Sequence, residues 1–363
     1  MGVEVLLMTT DWRKIYKNKT VLITGHTGFK GSWLAIWLMK LGANVIGYSL
    51  DPIGEESLFK LTELNNKVKD IRADIRDAAK LQAVFEEYQP EIVFHLAAQP
   101  LVKQSYRDPI YTYEVNVMGT MHVLEAIRKS PSVKAGVMVT SDKCYDNKEW
   151  VWGYRETDPM GGYDPYSSSK GCCELLISSY QHSFFPIESY SKHGKLIASV
   201  RAGNVIGGGD WSENRIIPDS VRSLMSDQAI KLRSPHSVRP WQHVLEPLSG
   251  YLKIGAYLYE GKTQYAESWN FGPESDSVTT VQQLVEKIVE HWNGGTWEVE
   301  PSCSAEHEAK LLSLDINKAK YYLDWHPKWN IDQTVYYTME WYRLYQKVDV
   351  YELCLKQINE YEK

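Results

Sequence analysis

The chain has 363 residues, of which 43% are hydrophobic and 24% charged, and its formal net charge is −6. This composition is ordinary for a soluble globular protein, and the length allows one large domain or two smaller ones. An acidic chain without a basic run is a poor partner for nucleic acid, and no apolar run reaches the roughly 18 residues that a membrane helix needs. We therefore expect a protein that binds neither nucleic acid nor a membrane.

The cysteines indicate a reducing compartment. There are five, an odd number, and their spacing is not that of metal-binding sets, so we expect free thiols and no metal site. The run VEVLLM at 3–8 is too short for the apolar part of a secretory signal and follows no basic segment. We therefore expect a cytoplasmic protein.

A strand–helix–strand pattern occupies residues 19–51. TVLIT is a compact β run, SWLAIWLMKLG has apolar residues at helical spacing and ends on a glycine, and ANVIGYSL is a second strand. Parallel pairing of two consecutive strands needs a crossover connection of this kind. The segment thus predicts one βαβ unit.

The alternation continues to about residue 203. The further strand patterns are KVKDIRADI, EIVFHLAA, AGVMVTS and KLIASVRAGNV, and the helix patterns between them are DAAKLQAVFEEY, NVMGTMHVLEAIRK and SSSKGCCELLISSYQHSFF. Such repetition predicts an α/β fold with a Rossmann-type doubly wound parallel sheet. Later residues alternate Gly-, Pro- and Trp-rich loops with helices. We predict a Rossmann domain over 15–203 with returning segments near 240–275, and a smaller, mostly helical substrate lobe from 204–239 and 276–363.

The turn TGHTGFKG lies between the first strand and the first helix. Gly25 permits a tight turn, Gly28 lets backbone approach a pyrophosphate, and Gly31 allows close helix–strand packing, while the helix N-terminus attracts the anion. A glycine triplet alone is weak evidence, but in a βαβ unit it predicts dinucleotide binding. Lys30 either touches phosphate or is solvated. The expected cofactor contacts in this turn are Gly25, Thr27, Gly28, Phe29, Lys30 and Gly31.

Strand ends supply the other cofactor contacts. Asp51 comes 20 residues after Gly31, where an acid can bind ribose hydroxyls and repel a 2′-phosphate, so we predict NAD rather than NADP. The alternative is an ordinary turn acid before Pro52. Further contacts are expected where the third and fourth strand patterns end, from Asp74, Ile75, Leu96, Ala97 and Ala98.

A tyrosine and a lysine share one face of a predicted helix. Tyr166 and Lys170 are four residues apart in PYSSSKGCCE. A cationic lysine nearby stabilises a phenolate and lowers the pKa of the tyrosine, which makes a usable base near neutral pH. We expect both residues to serve catalysis and to contact the cofactor.

The stretch TSDKCYDN follows the buried run AGVMV. It therefore lies at the carboxyl end of a strand, where ligands bind in open α/β sheets. It carries a hydroxyl, an acid and an amine on adjacent residues, Ser141, Asp142 and Lys143. One interpretation is a polar turn; the other is a catalytic set.

These motifs resemble those of the extended short-chain dehydrogenases/reductases. TGHTGFKG, HLAAQP, TSDKCYDN and YSSSK occur in the order and at the approximate spacing of that superfamily. Within it, GHTGFKGSWL, RAGNVIGGGDW, RIIPD and RPWQHVLEPLSGYL resemble segments of the CDP-glucose 4,6-dehydratase family. The likeness extends from about residue 15 to about residue 345. It implies NAD as cofactor, CDP-glucose as substrate, and a homodimer built from helices on one edge of the sheet. The segments VLEAIRK and LLISSYQHSF are either those helices or ordinary core helices.

The resemblance also implies a reaction. The family oxidises the sugar at C4, eliminates water across C5–C6 and returns the hydride to C6, which regenerates NAD. The product, CDP-4-keto-6-deoxyglucose, serves deoxysugar biosynthesis for O-antigen and lipopolysaccharide. By this resemblance, Tyr166, tuned by Lys170, takes the proton of the C4 hydroxyl, and Ser141 orients the same oxygen.

The residues for elimination match the family pattern only in part. Related dTDP-glucose dehydratases have Thr-Asp-Glu where this chain has Ser141, Asp142 and Lys143. Asp142 carries over as the acid at the C6 hydroxyl, for which it must be protonated. Lys143 replaces the glutamate base and must be neutral to act as one; alternatively it stays charged and stabilises the enolate. We favour the base, because some residue must take the C5 proton.

Four residues are candidates for the nucleotide-sugar site. Asn204 follows the last strand of the cofactor domain, and Arg215, Arg239 and Asn270 are expected in loops of the second lobe. Arginine suits bidentate contact with phosphate. The alternative for the arginines is a surface ion pair.

Three other functions compete with a CDP-glucose 4,6-dehydratase. A nucleotide-sugar 4-epimerase needs the tyrosine, the lysine and NAD, but no acid and base directed at C6 and C5, so Asp142 and Lys143 argue against it. Another NAD-dependent nucleotide-sugar dehydratase is the second alternative. A non-catalytic dinucleotide-binding protein has no need of Tyr166 and Lys170. The fold by itself does not decide among these functions.

Overall fold

The computed structural model describes residues 11–274, 278–300 and 311–363. Its centre is a parallel sheet of seven strands, in the order β3-β2-β1-β4-β5-β6-β11. Those strands are β1 (Thr20–Thr24), β2 (Asn44–Ser49), β3 (Lys69–Arg72), β4 (Ile92–His95), β5 (Ala135–Val139), β6 (Leu196–Ala202) and β11 (Ser268–Phe271). The run at 3–8 and Cys303, which entered the localisation and thiol predictions, lie outside the described residues.

Helices connect these strands and cover both faces of the sheet. They are α1 (Phe29–Lys40), α2 (Leu58–Leu61), α3 (Ala78–Tyr88), α4 (Val102–Arg107), α5 (Pro109–Tyr113), α6 (Gly119–Lys129), α7 (Pro165–Ser183), α8 (Tyr190–His193) and α10 (Leu245–Tyr259). A single turn of π-helix, Glu114–Met118, joins α5 to α6. Because both faces are covered, β4, β5 and β6 are buried along their whole length, as expected for apolar strands of a parallel sheet.

The remaining elements form short ribbons and a helical layer. The strands are β7 (Val205–Ile206), β8 (Ile230–Leu232), β9 (Val238–Pro240), β10 (Gln242–His243), β12 (Val278–Thr280) and β13 (Trp297–Val299), paired as β7–β10, β8–β13 and β9–β12. The helices are α9 (Ile216–Met225), α11 (Val281–Trp292), α12 (Asn317–Leu323), α13 (Ile331–Leu344) and α14 (Val350–Glu362). The sheet and the C-terminal helices share one hydrophobic core, and the domain limits proposed above stay a prediction.

Several local expectations were wrong. The third strand ends at Arg72, so Asp74 and Ile75 follow the strand instead of ending it. Arg239 lies in the ribbon strand β9 and Asn270 in the edge strand β11, and neither lies in a loop. The physical reason is that both segments find a strand partner far away in sequence, which local composition does not reveal.

The described residues also bear on solubility and thiol state. None of their helices combines the length and the apolar character that a membrane crossing requires. Four of the five cysteines are described, and all four are free thiols: Cys144, Cys172, Cys173 and Cys354. Three of these four are buried, so packing accounts for their presence.

Candidate active site

The glycine-rich turn is held by backbone contacts that leave no room for side chains. Gly25 has a φ of +79°, and a Cβ on it would lie 2.7 Å from the amide nitrogen of Ala97. A Cβ on Gly31 would lie 2.1 Å from the carbonyl oxygen of Gly25. The turn therefore packs directly against the first turn of α1 and against the chain that leaves β4.

The N-terminus of α1 is open to an anion. Gly28 is its N-cap and supplies no side-chain hydrogen bond, so the first amides of the helix are free to bind phosphate oxygens. Thr27 instead fastens the turn to β2, with its hydroxyl 2.8 Å from the Ser49 hydroxyl and donating to the carbonyl of Leu50 at 3.0 Å. These features fit the pyrophosphate of NAD.

The residues expected at the ribose differ in their freedom to bind. The side chain of Asp51 is 90% exposed just beyond β2, and Arg72 Nη1 lies 4.0 Å from its Oδ1. Arg72 is itself hydrogen-bonded to Asp70 through Nε at 3.1 Å and Nη2 at 2.8 Å. Asp51 is therefore well exposed for ribose hydroxyls, while the guanidinium of Arg72 is engaged by another carboxylate.

The residues expected as further cofactor contacts differ in how far they are already bonded to other parts of the protein. Asp74 accepts a hydrogen bond from Arg76 Nη2 at 2.8 Å, and this contact holds the pKa of Asp74 below its usual value. Ile75 is buried and packs against Gly119 of α6. Leu96, Ala97 and Ala98 are partly exposed beyond β4, beside the glycine-rich turn, where they can contact a dinucleotide.

The residues 140–145, which we call the catalytic turn, continue β5 into a short 3₁₀ turn. The Ser141 hydroxyl accepts a hydrogen bond from the Lys143 amide at 3.2 Å and donates one to Asp142 Oδ1 at 3.0 Å. Asp142 is 3% exposed, and its Oδ2 has no partner among the described residues. That oxygen faces Gly203, on which a Cβ would lie 2.8 Å away. The sequence thus leaves one carboxyl oxygen available beside a residue that has no side chain.

Tyr166 lies opposite this turn, on the first turn of α7. Burial raises the pKa of Tyr166 to about 12, although a hydrogen bond with Ser141 and the positive charge of Arg215 lower it. The Lys170 ammonium donates to the carbonyl of Val139 at 3.4 Å, and burial lowers the pKa of Lys170 itself. That Lys170 lowers the pKa of Tyr166 stays a prediction.

Two further cations adjoin the catalytic turn. Burial lowers the pKa of Lys30 to about 8, and the positive charge of Arg215 adds to this effect while Asp142 opposes it. Arg215 pairs with Asp210 at 2.8 Å. Lys30 is therefore close to Asp142 and Arg215, its side chain is partly exposed, and its contact with phosphate stays a prediction.

A cavity of about 450 Å³ has Gly203 in its wall. Asp142 does not line this cavity, but its Oδ2 lies close to Gly203, which does. Other parts of the wall come from the loop that carries Trp152, from β9, and from the segment leading into α12. Its charged side chains are Glu274, Asp315 and Lys320, and Lys320 pairs with Glu274 at 2.7 Å.

Two of the predicted substrate residues, Asn204 and Arg239, adjoin residues of the cavity wall along the chain, and none of the four lines the cavity itself. Asn204 is partly buried between β6 and β7, and its carbonyl accepts a hydrogen bond from the Gln242 amide at 3.1 Å. Arg239 lies between Val238 and Pro240, which both line the cavity. Asn270 is fully buried, and its amide group bonds Tyr145 and two backbone carbonyls, so its side chain is committed to the protein.

Sequence reasoning missed a buried ion pair behind the catalytic turn. Glu174 of α7 and Arg201 of β6 are each 3% exposed and bond one another through two oxygens and two nitrogens. The signal was present in the sequence, because a charged residue within an apolar strand such as LIASVRA needs a buried partner. The identity of that partner could not be read without the fold.

The parallel sheet, the open turn after β1 and the reactive side chains at its carboxyl edge define an extended short-chain dehydrogenase/reductase. A family model described as GDP-mannose 4,6 dehydratase matches residues 22–338. The chain belongs to this family of nucleotide-sugar 4,6-dehydratases. The family resemblance seen in the motifs is thereby confirmed.

Individual relatives sharpen the assignment. The chain is 49% identical to CDP-glucose 4,6-dehydratase of Salmonella typhimurium over 96% of its own length and 98% of that protein. It is 28% identical to human dTDP-D-glucose 4,6-dehydratase over 90% of each chain.

Solved structures confirm the predicted fold. UDP-glucose 4-epimerase of Thermotoga maritima with UDP-glucose superposes with a TM-score of 0.77 at 24% identity, and covers 90% of this chain and 100% of its own. The dTDP-glucose 4,6-dehydratase of Bacillus anthracis in complex with NAD gives 0.73 at 22% identity, over 90% and 96% of the two chains. At these identities the likeness establishes the fold alone.

Proposed function

We propose that this protein is a CDP-glucose 4,6-dehydratase that serves deoxysugar biosynthesis. The observation that carries the proposal is the buried Asp142 oxygen that has no partner among the described residues, on the same short turn as Ser141 and Lys143. An epimerase has no use for an acid at C6. The 49% identity to a CDP-glucose 4,6-dehydratase over nearly the whole chain supports the same substrate.

NAD fits the turn at the N-terminus of α1. When bound, NAD would supply the hydride acceptor for C4 and the hydride donor for C6. The amides that follow Gly28 would hold its pyrophosphate, and Asp51 would hold its adenosine ribose. Leu96, Ala97 and Ala98 would contact its nicotinamide half.

Removal of the C4 hydroxyl proton falls to Tyr166. The Ser141 hydroxyl lies beside Tyr166, and it can hold the C4 oxygen when its proton turns from Asp142 to the substrate. Arg215 lowers the pKa of Tyr166 through its positive charge, and Lys170 adds a buried cation one helical turn away. A cationic surrounding stabilises the phenolate that must form.

Elimination falls to the neighbouring residues of the catalytic turn. Asp142 donates a proton to the leaving C6 hydroxyl through its free oxygen, because hydroxide is a poor leaving group. Lys143 is partly exposed and takes the C5 proton. The C4 ketone formed in the first step acidifies that proton. When C6 receives the hydride, Lys143 returns the one proton that C5 needs, and Asp142 regains its own proton from solvent.

The nucleotide end of the substrate occupies the cavity beyond Gly203. Lys320 supplies a positive charge for the diphosphate, Arg239 lies between two wall residues, and Trp152 offers an exposed ring at the cavity mouth. The volume of about 450 Å³ is in the range of small-molecule sites, so a nucleotide can be accommodated.

Turnover of four nucleotide sugars tests this function. The protein with NAD is incubated with CDP-, dTDP-, UDP- and GDP-glucose, and products are followed by mass spectrometry and NMR. We expect loss of one water and a 4-keto-6-deoxy sugar from CDP-glucose alone. A 4-epimerised sugar would establish the epimerase alternative, turnover of another nucleotide would change the substrate, and no turnover of any would refute a dehydratase.

The same proposal includes a cytoplasmic homodimer. Large apolar side chains are exposed on adjoining helices near α6 and α7, among them Ile110 (72%), Leu175 (63%) and Phe184 (46%). Apolar area of this kind marks an interaction surface. Light scattering behind size exclusion tests it: we expect twice the chain mass of 41.8 kDa, and the monomer mass after Leu175→Glu.

A further inference from the structure

One ion pair bonds both ends of the catalytic turn. At the first end, the Thr140 hydroxyl donates a hydrogen bond to Glu174 Oε1. At the last end, the Tyr145 hydroxyl accepts a hydrogen bond from Arg201 Nη1 at 2.6 Å. Ser141, Asp142 and Lys143 lie between these two residues. The ion pair therefore bonds the chain on both sides of the reactive groups.

The pair is bidentate and its polar groups are satisfied. Arg201 Nε lies 2.8 Å from Glu174 Oε1, and Nη2 lies 2.7 Å from Oε2. Ser199 donates to the second oxygen at 2.7 Å, and the carbonyl of Glu156 accepts from Arg201 Nη1 at 3.2 Å. Burial opposes ionisation of Glu174, but the arginine and these hydrogen bonds outweigh it and hold the pKa of Glu174 below its usual value.

The same pair connects the turn to the helix that carries the tyrosine. Glu174 follows Lys170 by one helical turn and Tyr166 by two, so the three side chains lie along one side of α7. A shift of Glu174 therefore moves the helix face that presents Tyr166 relative to the turn that presents Ser141. Buried ion pairs add little net stability, so a geometric role explains this pair better than a stabilising one.

We infer that Glu174 and Arg201 are positioning residues for the dehydration, and this inference rests on the function proposed above. The hydrogen bond from Thr140 to Glu174 fixes the position of Ser141 relative to Tyr166, and this position determines the rate of C4 oxidation. The Tyr145 bond sets the other end of the turn, two residues from Lys143, and thereby governs elimination. One ion pair thus couples the geometry of the two chemical steps.

Deletion of single hydroxyls tests this inference, because substitution of Glu174 or Arg201 leaves a buried charge unpaired and endangers the fold. In single turnover with CDP-glucose, reduced nicotinamide absorbance reports C4 oxidation, and exchange of the C5 hydrogen with solvent deuterium reports the next proton transfer. We expect Thr140→Val to slow oxidation about tenfold or more, and Thr140→Ser to restore it. We expect Tyr145→Phe to leave oxidation within about twofold and to slow C5 exchange about tenfold.

Ser199→Ala is the matched control. It removes a hydroxyl from the same carboxylate but from a residue outside the turn, so we expect wild-type rates for both steps. Equal kinetic effects of Ser199→Ala and Thr140→Val, or equal slowing of both steps by Thr140→Val and Tyr145→Phe, would overturn the inference. If the wild-type protein turns over another nucleotide sugar, the same assay is run with that sugar. A wrong substrate assignment is then seen in the wild-type protein, whereas a wrong positioning role is seen only in the variants.

Discussion

Two turns meet at the carboxyl edge of the sheet, and they are held in different ways. The glycine-rich turn at 25–31 is held by close backbone contacts that require the absence of Cβ atoms. The catalytic turn at 140–145 contains no glycine and is held by hydroxyls bonded to Glu174 and Arg201. The first is disrupted when an atom is added, and the second when an atom is removed.

This difference matches what each turn does. A pyrophosphate is bound by backbone amides and needs only close approach, so small residues suffice. Proton transfer needs side chains held to within a fraction of an ångström, and that precision requires support from residues packed behind them. The two turns therefore differ in which substitutions they tolerate.

The largest effect is expected at Gly31. In Gly31→Ala, the new methyl would lie 2.1 Å from a backbone oxygen, so helix α1 must move away from β1. We expect the free energy of unfolding to fall by at least about 3 kcal/mol, with loss of NAD binding. Gly28→Ala is the control, because its methyl would meet nothing closer than 3.4 Å: it should keep wild-type stability and weaken NAD binding about tenfold in calorimetry. Equal stability of the two variants would refute the packing role of Gly31.

Lys143→Ala should slow elimination about 100-fold or more while C4 oxidation stays near the wild-type rate. The reason is that general base catalysis contributes that much, and Lys143 is the amine of the catalytic turn. The measurement is C5 hydrogen exchange beside reduced nicotinamide absorbance in single turnover. Wild-type exchange in this variant would mean that Lys143 is not the base. Loss of oxidation alone would show that it acts on C4 instead.

Lys320→Ala should raise KM for CDP-glucose about tenfold and leave kcat unchanged, because the lost charge contacts the diphosphate and not the reacting carbons. This substitution tests a residue of the cavity wall that belongs to neither of the two turns. Lys318→Ala is the control, since Lys318 is on the same helix but pairs with Glu267 outside the cavity. If both variants raise KM equally, general electrostatics and not a cavity contact is responsible.

The smallest effect is expected at Arg215. Its positive charge lowers the pKa of Tyr166, so Arg215→Met should raise that pKa. The base must be deprotonated to act, and the acidic limb of kcat against pH should therefore move to higher pH, by about one unit at most. Arg215→Lys keeps the charge and should keep the wild-type profile. An unchanged profile in Arg215→Met would mean that the arginine does not tune Tyr166.

Strand and helix patterns were sufficient to predict the parallel sheet, because β1, β2, β4, β5 and β6 each have a local apolar signature. The motif residues of both turns were predicted for the same reason, since their neighbours along the chain define them. The predicted location of a residue was wrong where that location depends on a partner far away in sequence. Asn270 was expected in a loop, but its segment pairs with β6 as strand β11 of the sheet. The side-chain amide of Asn270 is therefore buried and accepts a hydrogen bond from Tyr145.

The sequence by itself determined the order of the elements, the open glycine turn and the identity of the reactive groups, because these depend on local spacing and residue type. Only the tertiary structure decided which charges surround Tyr166 and that Lys170 donates to the carbonyl of Val139 at the end of β5. It also decided that Glu174 and Arg201 form an ion pair next to the catalytic turn. These contacts join residues from separate elements. Their energies depend on burial and on distances of a few ångströms, which arise only when the sheet has formed.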